Sequence, residues 1–449
     1  MSETAAEALA RHFVNLKPAN IPAQHVADCK ALVRDYLGVA LGGSKTGSGR
    51  SSAAFALEVG GREEATLIGH GGRVPAVHAA LANAIASHSI ELDDVDILAL
   101  FHFSPPVVSA ALAAAEREGS SGEEFITAVV AGCEMMARAS NATNFSLRDR
   151  GYHTTPVCGV FGATIAAAML MKLDEAQTVS ALGMAGAQAS GLMEMYGPSM
   201  QKRFNPGPAA RNGVTAAQMA KLGFTGAATI FDGERGFCRA FSDQHEIDAL
   251  TRDLGTDFPI FIEYKAYSCA RPIHNAIDCA LAVRAQLSEP VSAITRMTMR
   301  RHPSWAHYHL NTRPRTYHEA QVSLPYSVAV ALIDGAAFFP QYQDEKLGDA
   351  EIRRLSDLLQ IVPDESLPRG VSCHLVAETA GGARLESQVD HPKGSIANPM
   401  TDEEMRRKVH LLGDAVLGED RVGAMIAAID HVESLASTGD LMRLTVPAG

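Results

Sequence analysis

The chain of 449 residues is 47% hydrophobic and 20% charged, the balance of a globular protein with core enough to do without disulfide or metal staples. Its 51 acidic and 39 basic residues leave a net charge of −12, which argues against a nucleic-acid or anionic-membrane binder, since both need a basic face. Seven scattered cysteines with no CxxC pair read as reduced thiols, and the apolar runs are too short for a membrane span, so a cytoplasmic protein is expected.

From residue 1 to about 265, apolar residues recur at helical spacing with Ala and Gly dominating, which implies helices in close approach. MSETAAEALARHFVNLKP predicts an amphipathic helix capped by Ser2 or Thr4, not a signal peptide. AVHAALANAIASHSIELDDV (76–95) predicts a helix on which Glu91 shares a face with Asp94 and Val95. PVVSAALAAAERE (106–118) predicts another, with Pro105-Pro106 at its first turn, and EEFITAVVAGCEMMARAS (123–140) a third. In RGYHTTPVCGVFG (150–162), His153 precedes a helix for which Thr154 or Thr155 supplies a cap and Pro156 an entry. GPSMQKRFNPGPAARNG (197–213) sets Lys202 and Arg203 on a Gly/Pro-rich loop before a helix over 207–223.

The texture changes after Lys265. ARPIHNAIDCALAVRAQLSEP (270–290) predicts a helix ended by Pro290, AITRMTMRRHP (293–303) a strand, and QVSLPYSVAVALIDGAAF (321–338) a helix. VSCHLVAETAGGARLESQVDHP (371–392) reads as a β-hairpin turning at Gly381-Gly382. NPMTDEEMRRKVHLLGDAVLG (398–418) opens with a capping box of Thr401 and Glu404. The expected architecture is mostly α: an all-helical large domain (1–266 and 398–449) with a smaller α/β lid domain (267–397).

Several of these stretches carry groups suited to acid chemistry. Glu91 is a candidate general base if desolvated, and His102 follows it on a loop. His153, at a helix N-terminus, feels the positive end of the dipole and is favoured in its neutral form. Lys202 is a compact charge suited to a carboxylate, with Arg203 beside it. Lys265, Arg271 and His274 fall together where the texture changes, and Arg271 can clamp a carboxylate with a bidentate fork. Tyr326 is a candidate donor to an oxyanion. No GxGxxG, P-loop, HExxH or GxSxG is present, so nothing demands a nucleotide or a metal.

Taken in order, the acidic element at 91–94, His102-x-Ser-x-Pro, GYHTTPVCGVFGA, QKRFNPGPAARNG, KAYSCARPIHNAID, HEAQVSLPYSVAVAL and NPMT closely resemble the MmgE/PrpD family from end to end. That family includes 2-methylcitrate dehydratase, cis-aconitate decarboxylase and iminodisuccinate epimerase. The resemblance implies a helical domain and an α/β lid, a homodimer, a cleft between the domains, and chemistry on small di- and tricarboxylates without metal or organic cofactor. By motif, His102, His153, Lys202, Lys265 and Tyr326 match family site residues, and Arg271 lies in the equivalent of its Cys-x-Arg stretch. Glu91 stands where the family usually has Asp, Val95 where it tends to have Thr, Phe103 in place of Pro, and Asn205 in place of a common His. The resulting expectation is a lyase, first of all a hydro-lyase, that removes a proton alpha to a carboxylate. The alternatives are an epimerase, isomerase or decarboxylase of a related polycarboxylate, or an idle ligand-binding paralogue.

Overall fold

A computed structural model describes residues 3–96, 100–195 and 197–448. Thr4 caps the first helix, Ala5–Asn15, in a capping box with Glu7, whereas Ser2, the other expected cap, lies outside the described residues. The large helical core is built around Thr154–Leu170, nearly all of whose side chains are buried. It packs against Ser104–Glu118, Gly122–Thr143 and Pro206–Lys221. Small residues allow this: a Cβ on Gly162 would lie 2.5 Å from the Gly132 carbonyl oxygen, and one on Gly213 the same distance from the Ala163 Cβ. Val409, Leu417, Val422, Met425 and Leu441, from the C-terminal helices, join the same core.

A second core surrounds a four-stranded sheet in the order Leu359–Pro363, Ile294–Arg301, Cys373–Thr379, Arg384–Val389. The last three strands are antiparallel, and the hairpin turns where Gly381-Gly382 predicts it, with Gly382 at φ 85°. Leu359–Pro363 runs parallel to Ile294–Arg301 and was not anticipated, because it continues the helix Ala350–Leu358 with no intervening loop. The helices His274–Gln286 and Leu324–Asp334 pack together beside the sheet. The chain is thus mostly α, with a smaller α/β part. Among the described residues no helix is long and apolar enough to cross a membrane.

The helix expected over 76–95 ends early, at Ser87. Glu91 has φ 55°, in the left-handed region that a continuing helix excludes, so Glu91, Asp94 and Val95 do not share a helical face. Beyond Ser87 the chain alternates instead. Ile90 and Leu92 enter a small apolar cluster with Val39 and Leu412, while Glu91 and Asp93 turn toward buried cations.

The turn after Ser87 is held from behind by the helix Ala23–Ser44, where a Cβ on Gly43 would lie 1.8 Å from the Ala86 carbonyl oxygen. Gly43→Ala is therefore expected to lower the melting temperature, with a cost of about 1–3 kcal/mol from overpacking. Gly423→Ala, in the helix Glu419–Asp430 with nothing near its added methyl, is the matched control and should be neutral or mildly stabilising. Thermal unfolding of the two variants checks the contrast.

Candidate active site

The segment 88–95 is suspended by its own backbone. The Ile90 carbonyl accepts hydrogen bonds from Ser268 Oγ (2.5 Å) and Gln321 Nε2 (2.9 Å), and the Leu92 carbonyl accepts one from Lys408 Nζ at 2.6 Å. Val95 exchanges backbone bonds with Glu263. Asp94 reaches forward to accept the amide hydrogens of Phe103 (2.7 Å) and Ser104 (3.1 Å), so it caps the helix Ser104–Glu118 from nine residues upstream. Burial, and then the adjacent Asp93, push the Asp94 carboxyl up to about 7 despite those bonds.

Around this segment three cations converge on one buried carboxylate. Lys202 and Arg203 both bond Glu91 Oε1, and Lys265 lies 3.0 Å from its Oε2. Lys265 also lies 3.2 Å from Asp93 Oδ1, and Arg203 donates to Gln321 Oε1 at 2.9 Å. Burial alone would raise the Glu91 carboxyl; Lys202, Lys265 and Arg203 outweigh it and hold the group well below the usual carboxylate range. For Lys265, burial opposes charge but Asp93 and Glu91 prevail, pushing it up to about 12. Lys202 goes the other way, down to about 8, through burial and its like-charged neighbours Arg203 and Lys265, which together exceed the pull of Glu91.

Three imidazoles adjoin the carboxylates. His88 Nδ1 lies 2.6 Å and His102 Nδ1 3.3 Å from Asp93 Oδ2, and His102 Nδ1 also bonds the Asp94 carbonyl. The His88 and His102 rings are 5.0 Å apart, and His88 and His153 6.4 Å. His153 sits as the N-cap residue of Thr154–Leu170, and its Nδ1 lies 3.1 Å from Asn205 Nδ2. Neither threonine caps that helix with its side chain: Thr154 Oγ1 is buried with no partner among the described residues, and Thr155 Oγ1 instead accepts the His102 amide hydrogen at 3.2 Å. A small cavity of about 10 Å³ lies beside the cations, between Met195, Gly197, Ser199, Lys202, Arg203, His318 and Val322.

The structure therefore brings together Glu91, His102, His153, Lys202, Arg203 and Lys265, drawn from four separate sequence stretches. Two expected members lie elsewhere. The Arg271 guanidinium is paired with Glu263 (2.7 and 3.1 Å) and donates to the Lys393 carbonyl, so its fork is closed by a protein carboxylate. The Tyr326 hydroxyl donates to the Gln341 carbonyl at 2.8 Å, and its ring lines a separate cavity with Thr312, Arg313 and Ile352. From the stretch that carries Tyr326, it is Gln321 and His318 that face the cluster. The expected Gly/Pro loop is itself mostly helical: Lys202 and Arg203 sit on the short turn Gln201–Phe204, directly ahead of Pro206–Lys221.

Asp93, His88 and Gln321 were missed by sequence reasoning. A signal for Asp93 was available in the period-two pattern Ile90-Glu91-Leu92-Asp93, which a helical reading obscures. Among the described residues, His88, Asp93 and His102 gather closely enough to hold a metal ion. The spacings are those of hydrogen bonds, and the Lys265 ammonium already sits on the second Asp93 oxygen, where a cation would be repelled.

Comparison with known proteins gives matches along the whole chain. The MmgE/PrpD N-terminal domain model matches residues 7–250, and the MmgE/PrpD C-terminal domain model matches residues 267–433. A cis-aconitate decarboxylase-like protein, oryM, of Aspergillus oryzae is 28% identical, the match covering 97% of this chain and 96% of the relative. The cis-aconitate decarboxylase of Aspergillus terreus is 25% identical over 96% of this chain and 93% of its own length. The human cis-aconitate decarboxylase is 24% identical, with 99% and 95% covered.

Proposed function

The chain belongs to the MmgE/PrpD family, and on that premise we propose that it is a cofactor-independent lyase acting on a small di- or tricarboxylate. The observation that carries the reading is the convergence of Lys202, Arg203 and Lys265 on one carboxylate beside His102 and His153. Glu91 is an internal ligand for these cations, and a substrate carboxylate competes for the same donors. Cations at this position also stabilise the charge that develops when a carbon alpha to a carboxylate loses its proton. Hydro-lyase chemistry is the first reading, with His102, held down to about 3 by burial first, neutral and available to accept a proton. The names of the relatives favour a second reading, decarboxylation of a related polycarboxylate. The cleft between a helical body and the 267–397 lid, a homodimeric assembly and a cytoplasmic location belong to the same proposal.

Incubation with a panel of citrate-like, aconitate-like and amino-dicarboxylate acids in deuterated water, followed by NMR, separates the readings. Loss of water with an alkene formed supports the hydro-lyase, and release of CO₂ with deuterium taken up on carbon supports the carboxy-lyase. Exchange with no net loss indicates an epimerase, and no turnover across the panel defeats the enzyme reading.

Binding is expected to weaken on the alkaline side. Lys202 is cationic below its pKa of about 8, so KM for the acid should rise as pH climbs through that value. Lys265, pushed up to about 12, and Arg203 stay charged, and binding is weakened rather than abolished. Lys202→Arg should move the rise out of the accessible range, which a KM–pH profile of the two proteins reads directly.

A further inference from the structure

Two of the three imidazoles at the site, His102 and His153, are held by partners of opposite kind. His102 Nδ1 faces the Asp94 carbonyl and lies 3.3 Å from Asp93 Oδ2; both partners are acceptors, so the proton sits on Nδ1 and the lone pair on Nε2. His153 Nδ1 instead faces the Asn205 amide. The orientation of that amide follows from its other neighbours: the same Asn205 nitrogen lies 3.1 Å from Met195 Sδ and 3.5 Å from the Leu192 carbonyl, and both can only accept. The nitrogen therefore donates, His153 Nδ1 accepts, and the ring proton is on Nε2.

We propose that His102 and His153 are locked as complementary tautomers, with His102 Nε2 the base and His153 Nε2–H a fixed hydrogen-bond donor. Asn205 is the positioning residue that sets the second. The proposal rests on the lyase reading above for its chemistry, and on geometry alone for the tautomers.

The consequence is a division of labour. His102 Nε2 takes the alpha proton while both electrons of the C–H bond stay on carbon and spread into the adjoining carboxylate. His153 Nε2–H, with Lys202 and Lys265, stabilises the charge on that carboxylate and keeps its proton, since a neutral imidazole gives one up only as a strongly basic anion. When the bond to the leaving hydroxyl breaks, the proton carried by His102 passes to that oxygen, water departs, and both rings end neutral. Both groups are neutral beforehand. Burial, then the positive charge that His88 and His102 would carry, hold His153 well below the ordinary histidine range. His88 shares the His102 tautomer through Asp93, but its Nε2 is buried with no partner among the described residues, which assigns it to supporting the carboxylate.

Long-range ¹H–¹⁵N spectra of the full chain, labelled at histidine and assigned with single His variants, test this without a substrate. The expected signature is a pyridine-like Nδ1 and pyrrole-like Nε2 for His153, and the reverse for His102. A protonated Nδ1 on His153, or a doubly protonated ring, overturns the assignment. Asn205→Asp replaces the donor with an acceptor, so the His153 signature should invert and turnover should fall by about 10²–10⁴-fold, the usual scale of a positioned proton donor or tautomer error. Inversion of the signature with turnover unchanged would overturn the donor role. The expected tautomers in a protein that turns over no polycarboxylate would count against the lyase reading and leave the assignment standing.

Discussion

Lys265→Met is expected to be the most destabilising single change at the site, costing about 3–5 kcal/mol, the range for removing one partner from a buried ionic cluster. Lys265 is 1% exposed and lies between Glu91 and Asp93, at 3.0 and 3.2 Å. Without it, two buried carboxylates face each other across the space its ammonium filled. Glu91 retains Lys202 and Arg203, but Asp93 is left with His88 and His102, whose burial disfavours a positive charge. Asp93 would then respond by taking up a proton, or the segment 88–95 would shift. Adding Asp93→Asn should restore part of the loss, because it removes the charge that Lys265 balanced. Thermal or urea unfolding of the single and double variants measures both effects; a single variant as stable as the parent would contradict the cluster as described.

The largest effect on turnover is expected from His102→Asn. Asparagine keeps an N–H at about the position of His102 Nδ1, able to reach the Asp94 carbonyl, and deletes Nε2. The fold should therefore survive while kcat falls by about 10²–10⁴-fold, the contribution of a positioned base. His88→Asn is the informative comparison. It preserves the donor to Asp93 in the same way but removes an Nε2 that is buried with no partner among the described residues, so its effect on kcat should be far smaller. Equal losses from the two would mean that the imidazoles act as one structural unit.

The sequence made most of the fold legible wherever a periodic pattern was long. The Thr4 cap, the capping box at Thr401, the Pro105-Pro106 helix entry and the Gly381-Gly382 hairpin all form as read. The strand Leu359–Pro363 was not legible, since five residues continuing a helix carry no boundary signal. Of the residues singled out by type and order, Glu91, His102, His153, Lys202, Arg203 and Lys265 come together in the fold. Type and order did not reveal how the groups pair. Arg271 carries the right chemistry for a carboxylate clamp, but the backbone bridge between Val95 and Glu263 brings a protein carboxylate to its fork. Likewise Tyr326 and Gln321 lie five residues apart in one stretch, and only the break between the turn Tyr317–Ala320 and the helix Leu324–Asp334 decides which one meets Arg203. Such choices depend on tertiary contacts that local pattern does not encode.

The cavity between Lys202, His318 and Val322, at about 10 Å³, has room for roughly one water molecule. A polycarboxylate of the kind proposed above is larger than this space, so its binding would require Lys202, Arg203 and His318 to move apart, and the observed association rate would then level off at high ligand concentration. Stopped-flow traces would then report a first-order ceiling in place of a line, and the speed of the protein would be set at its doorway as much as at its base.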